Sequence, residues 1–103
     1  MINKQCYRFE TLQLSTGKFD KCVSACYVLT MEGSKRRNKY LNQLKKWKPF
    51  SKIIIVHNKG FKKCKKKHVN KIAHDINHAN NFIFNHALSK NYSSILVFED
   101  DFF

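Results

Sequence analysis

Three consecutive acids, Glu99, Asp100 and Asp101, follow directly on the apolar run Ile95-Leu96-Val97-Phe98. A short apolar run of β-branched and aromatic residues is the pattern of a strand buried on both faces, as in a parallel sheet. Ligands of open parallel sheets sit outside the carboxyl ends of the strands, so acids placed there are better positioned for a bound cation than for a surface ion pair. Oxygen-only donors suit magnesium or manganese. In an extended strand side chains alternate, which puts Glu99 and Asp101 on one face and Asp100 on the other. Glu99 and Asp101 are therefore the candidate ligands of Mn2+ or Mg2+. The plain alternative is a solvated strand end.

The elements that must position these acids are legible in the preceding residues. A largely apolar, uncharged segment at 22–29 predicts a second buried strand, ending in the loop Thr30-Met31-Glu32-Gly33-Ser34, where Ser34 can cap a helix. Tyr40, Leu44 and Trp47 recur at helical spacing and predict a helix over 35–47, closed by Pro49. Residues 52–58, Lys-Ile-Ile-Ile-Val-His-Asn, give the clearest buried strand. Ile72, Ile76, Ala79, Ile83 and Ala87 share one helical face, and Asp75 is the expected N-cap of a second helix ending near Lys90. The expected layout is β-α-β-α-β, a three-layer, Rossmann-like α/β fold with a three-stranded parallel sheet. Residues 1–20 read as an N-terminal arm, with a short strand around 7–14, and residues 21–103 as the ligand-binding unit.

Composition narrows the classes. At 103 residues, 43% of them hydrophobic, the chain can bury the core of one small domain, or form part of a larger one. Its net charge of +13 predicts attraction to polyanions, whether nucleic acid, anionic membrane or a phosphate-rich small ligand. No run approaches the roughly 20 apolar residues of a membrane span. The N-terminus lacks the apolar core of a secretory signal. The expectation is a soluble, cytoplasmic protein. Four cysteines, at 6, 22, 26 and 64, are few for a disulfide scaffold, and reduced thiols are expected. Cys22 and Cys26, Cys64 and His68, and His74 and His78 each stand four apart, a spacing that on a helix suits zinc. Two of those cysteines fall in the predicted buried strand, which argues against a zinc site.

In the expected layout three strand ends converge on one edge: Thr30 to Ser34, His57-Asn58, and Glu99 to Asp101. A nucleotide laid across it would take backbone hydrogen bonds for its base from the first two loops, and its diphosphate would need a cation against the carboxylates. The run I-L-V-F-E-D-D-F, preceded by D-I-N-H-A-N-N-F-I-F-N-H-A-L, resembles the stretch leading into the metal motif of GT-A glycosyltransferases, closest to the families of lipopolysaccharide and collagen galactosyltransferases. The opening Y-V-L-T-M-E-G-S-K-R-R is similar to their first strand, loop and arginine.

That resemblance, over about residues 21 to 103, implies binding of a nucleotide-diphospho-sugar, a UDP-sugar foremost, and transfer of a hexose to an acceptor hydroxyl. It places Asp101 on the metal, and Glu99 or Asp100 on the ribose or a metal-bound water. Arg36 or Arg37 would lie near the nucleotide and Asp75 near the base. Thr30, Met31 and His57 are further candidate nucleotide-sugar contacts from the converging strand ends, apart from the resemblance. Such enzymes carry the acceptor site and usually the catalytic base in a second half, so the expectation here is an incomplete GT-A half-domain, truncated after the acids, with no catalytic residue identified and no turnover alone. The rival expectation is a small nucleic-acid-binding protein whose phosphate-tracking patch combines Lys62, Lys63, Lys65, Lys66 and Lys67 with Lys45, Lys46 and Lys48. The block from Lys62 to Lys67 is expected to stay solvated.

Overall fold

The computed structural model describes residues 6–103. In chain order it contains β1 (Tyr7–Gln13), β2 (Ala25–Met31), α1 (Arg37–Trp47), β3 (Lys52–Asn58), α2 (Ile72–Ser89) and β4 (Ile95–Glu99), followed by a single 3-10 turn, Asp100–Phe102. The four strands form one sheet in the order β1-β3-β2-β4. β2 pairs parallel with both β3 and β4, while β1 runs antiparallel along the outer edge of β3.

The class is α/β, as expected, but the sheet is mixed. The short strand anticipated around 7–14 is a full member of it, in register from Tyr7 opposite Asn58 to Gln13 opposite Lys52. An antiparallel partner needs no crossover helix, so nothing in the β-α-β-α-β spacing announces it. The part of the expected arm before Cys6 lies outside the described residues.

Alternation along the strands divides the core in two. Tyr27, Leu29, Ile54 and Val56 meet Ala79, Ile83 and Ala87 of α2 on one face, and Cys26, Val28, Ile53 and Ile55 meet Tyr40 and Leu44 of α1 on the other. The central strands β2 and β3 are covered on both sides, as their unbroken apolar runs require. β4 departs from that expectation. It is the last strand of the sheet and only half-buried, with Leu96 38% exposed. The apolar run marked a strand, not its place in the sheet.

Helix ends follow local chemistry. α1 stops where Pro49 disfavours helical geometry in the residue before it: Lys48 turns left-handed at φ 54° while its N–H donates to Leu44 O at 2.8 Å. Asn91, at φ 59°, closes α2 in the same way. Its N–H donates to Leu88 O at 3.1 Å and that of Tyr92 to Ala87 O at 3.0 Å, the paired bonds of a Schellman end. At its start α2 corrects the expectation. Lys71 is the N-cap, with no side-chain cap bond, and Asp75 lies inside the first turn. Its carboxylate is drawn sideways to buried partners described below. β2 also starts later than expected: Cys22 is exposed in the preceding turn, and only Cys26 is buried.

Two tyrosine–histidine pairs join the sheet to α2. Tyr7 Oη lies 2.6 Å from His78 Nδ1, and Tyr27 Oη 2.7 Å from His86 Nδ1. Burial raises both phenols above their ordinary value, Tyr27 to about 12, and keeps them protonated, so each donates to a neutral imidazole. Burial likewise lowers both histidines, helped by Lys66 beside His78 and by Lys90 and Lys52 near His86. A group whose folded value is depressed contributes stability above its unfolded value, here 6.5, and loses it as the pH falls through the window below. The melting temperature should therefore drop between pH 7.5 and 5, and the His78→Gln/His86→Gln double variant should show a flatter profile over that range in a pH series of thermal melts.

Candidate functional site at the carboxyl edge of the sheet

The ends of β2, β3 and β4 open into a cavity of about 490 Å³, within the range of small-molecule sites. Leu29, Thr30, Met31 and Glu32 supply the exit from β2, and Asn58 through Lys63 the exit from β3. Ile72, Asp75 and Ile76 of α2 form a wall, and Glu99, Asp100 and Asp101 stand at the end of β4. The apolar stripe of α2 thus has two fates. Ala79, Ile83 and Ala87 are buried on the sheet, whereas Ile72 and Ile76, 70% and 40% exposed, extend beyond it and line the cavity.

The three acids do not alternate as a continuing strand would place them. β4 ends at Glu99, and the chain turns through the 3-10 segment, so Asp101 leaves the strand register. Asp100 faces β2: its Oδ2 accepts hydrogen bonds from Thr30 Oγ1 at 2.7 Å and Ser34 Oγ at 2.9 Å, and its Oδ1 lies 3.5 Å from Arg36 Nη1. This carboxylate ties the β2 loop to the β4 turn. Glu99 and Asp101 are exposed, line the cavity and form no ion pair among the described residues. Among those residues no group of three or more His, Cys, Asp or Glu side chains is arranged to hold a metal ion. The donor set is therefore two free carboxylates on one cavity wall. That fits a hard cation whose shell a phosphate ligand completes, because magnesium is commonly held by one or two carboxylates plus substrate phosphates.

Of the other residues singled out, Thr30, Met31 and Asp75 line the cavity and Arg36 reaches its edge through Asp100. His57 and Arg37 do not line it. Glu10 of β1 draws both away: it accepts from Arg37 Nη1 and Nη2 at 2.6 Å each, and from His57 Nε2 at 2.8 Å. The Arg37 guanidinium, bonded to both oxygens, holds the Glu10 carboxyl down at about 2. Glu10 was not among the residues singled out, because its partners meet it only through the antiparallel pairing of β1 with β3.

A buried ion pair lies behind the α2 wall. Lys66, 2% exposed, bonds Asp75 Oδ1 through its ammonium and donates to Asn58 Oδ1 at 2.6 Å. Asn58 Nδ2 in turn donates to Asp75 Oδ2 at 3.2 Å, and the ammonium sits 4.4 Å from the centre of the Tyr7 ring. One member of the lysine block expected to stay in water is thus buried. Its charge is met by a carboxylate, an amide oxygen and a π face. Asp75 reaches the cavity as expected, but its carboxylate is already engaged. The sequence placed Asn58 at this edge and Lys66 in a solvated block, but not their joint bonding to Asp75; a single lysine destined for burial looks the same as its neighbours in a lysine run.

The cysteines also correct the expectation. Cys6 and Cys64 form a disulfide across 58 residues, while Cys22 and Cys26 are free. Burial pushes the Cys26 thiol up to about 12, the behaviour of a small core hydrophobe. The lysines of the rival reading stand at opposite ends of β3. Lys45, Lys46 and Lys48 lie at the end of α1, next to the start of β3, whereas Lys62 and Lys63 follow its end, about 20 Å away along a seven-residue strand. No helix of the described residues is long and apolar enough to cross a membrane.

Compared with known proteins, the sequence matches no family model, and no match was found among curated proteins or solved structures.

Removing one partner of a buried pair leaves an uncompensated charge, which costs about 3–5 kcal/mol. Asp75→Ala should therefore lower unfolding stability by about that amount in urea titrations. Lys66→Met combined with Asp75→Leu should recover most of the loss, because no isolated charge then remains.

Proposed function

We propose that this chain binds a nucleotide-diphospho-sugar, a UDP-sugar foremost, as the donor site of a GT-A type glycosyltransferase that moves a hexose to an acceptor hydroxyl. The observation that carries the reading is the cavity at the carboxyl ends of three parallel strands, apolar along Leu29, Met31, Ile72 and Ile76 and edged by the free carboxylates of Glu99 and Asp101. Open α/β sheets bind ligands at this edge. An apolar wall suits a base, and the acids suit a diphosphate only with a divalent cation between them.

Glu99 and Asp101 would hold Mn2+ or Mg2+, which supplies Lewis-acid stabilisation of the departing diphosphate when bound. The chain's own residues do the positioning. Asp100 locks Thr30 and Ser34 against the β4 turn, so the loop after β2 has a fixed shape beside the cavity before any ligand arrives. Met31 and Ile76 are exposed and apolar and can cover one face of a base. Arg36, paired with Asp100, brings a guanidinium to the same corner.

Thermal shift with manganese and a panel of uridine and guanosine diphosphates tests the reading. At tenfold excess over Kd a ligand stabilises by about 1.4 kcal/mol, or roughly 5–10 °C for a domain of this size. That shift should require metal and should vanish in Asp101→Ala. Stabilisation by a random oligonucleotide, steeply salt-dependent and indifferent to metal and Asp101, would instead establish a nucleic-acid-binding protein and overturn the proposal.

A further inference from the structure

The acids occupy one side of the cavity, and the donor-site reading leaves the other side without a role. There the chain leaves β3 through Lys59, Gly60, Phe61, Lys62 and Lys63, all of which line the cavity. β2 lies between β3 and β4, so the lysine loop and the acid turn leave the sheet two strand spacings apart, about 10 Å. Lys59, Lys62 and Lys63 are exposed, and none is ion-paired among the described residues. The lysines do not neutralise the acids, and both signs of charge remain presented to whatever enters.

Left to itself, a run of lysines repels itself and spreads into solvent. This one is held at three points. The Gly60 N–H donates to Asn58 Oδ1 at 2.9 Å, and Lys66 is buried on Asp75 and Asn58. Between those anchors Cys64 is bonded to Cys6, whose carbonyl accepts from Lys59 N–H at 2.9 Å. Gly60 sits at φ 86°, where a side chain would be strained, and lines the cavity together with Met31. Lys62 and Lys63 are the lining lysines between the first anchor and the disulfide. A loop whose backbone is already anchored binds an anion without the cost of ordering the chain.

We infer that Lys62 and Lys63 form a preorganised anion-binding wall that takes a phosphate or diphosphate group directly, and that the Cys6–Cys64 bond sets its affinity. The inference rests on the donor-site reading for the identity of the natural ligand, and adds to it a second hold on the diphosphate that needs no metal. Cys64 is partly exposed and open to a dithiol reductant. The dithiol gives up two electrons and two protons and closes to its own disulfide, while the Cys6–Cys64 bond breaks to two thiols. The loop then keeps only its outer anchors.

The test is isothermal titration of the oxidised protein with inorganic pyrophosphate in EDTA, which removes any metal contribution. Lys62→Ser/Lys63→Ser should weaken binding about tenfold or more, from two lost charge-assisted hydrogen bonds. Lys65→Ser/Lys67→Ser, an equal charge change on exposed lysines of the same loop that do not line the cavity, should have little effect. Reduction by dithiothreitol, or Cys6→Ser/Cys64→Ser, should weaken binding about threefold, from renewed loop freedom. Equal losses in the two lysine pairs, or pyrophosphate affinity indifferent to the disulfide in a reduced protein that still melts cooperatively, overturn the proposal. The lysine comparison uses oxidised protein, so it decides the site even where the reduced chain loses its fold. If manganese-dependent UDP binding fails while pyrophosphate still binds through Lys62 and Lys63, the donor-site reading falls and the anion wall stands.

Discussion

The ammonium of Lys66 lies out of water between the end of β3, the start of α2 and the ring of Tyr7 in β1. An isolated charge in that position would be too costly to keep, so the surrounding groups are fixed by the need to satisfy it. Asp75 must sit in the first turn of α2, and Asn58 must end β3 with its amide turned inward to bridge both partners. Through these contacts the cation sets where the loop of residues 59–71 returns to the body. Three of the elements around the cavity take their relative positions from this one buried charge.

Such a pair is not strong evidence of stability, since its desolvation offsets much of its attraction. Its value here is geometric. Apolar packing of Ala79, Ile83 and Ala87 would tolerate some sliding of α2 along the sheet, whereas Asp75 bonded to both Lys66 and Asn58 admits little. The overhang of Ile72 and Ile76 beyond the sheet follows, and with it the apolar wall of the cavity. On the far side Asp100 does the corresponding work, joining the β2 loop to the β4 turn through two hydroxyls. The cavity lies between these two polar fasteners.

Charge is sorted by the same geometry. Glu10 and Glu32 are taken up by Arg37, His57 and Arg8, on the face of the sheet that carries α1. Asp75 is taken up by Lys66 and Asp100 by Arg36. What is left at the cavity is a pair of free acids after β4 and a group of free lysines after β3. In a chain of net charge +13 the free lysines are unremarkable in number. The free acids are the informative residues, because cations abound and yet none is placed against Glu99 or Asp101 among the described residues.

Much of the architecture was legible in the amino-acid order alone. Residues 52–58 read as a buried strand and are one, and α1 ends at Trp47, ahead of Pro49, as local sterics dictate. The parallel core and the convergence of Thr30, Met31 and the three acids on one edge follow from hydrophobic periodicity and from the size of β-α-β units, which are short-range properties of the chain. What tertiary structure alone decided depends on pairs far apart in sequence. The antiparallel pairing of Tyr7 with Asn58 made the sheet mixed and moved His57 and Arg37 onto Glu10. The bond between Cys6 and Cys64 and the burial of one lysine in a run of lysines belong to the same class. Periodicity specifies which face of an element is apolar, but it carries no information on which polar side chains will meet across 47 or 58 residues. Those meetings are fixed only once the chain has closed and each buried charge has to find its partner.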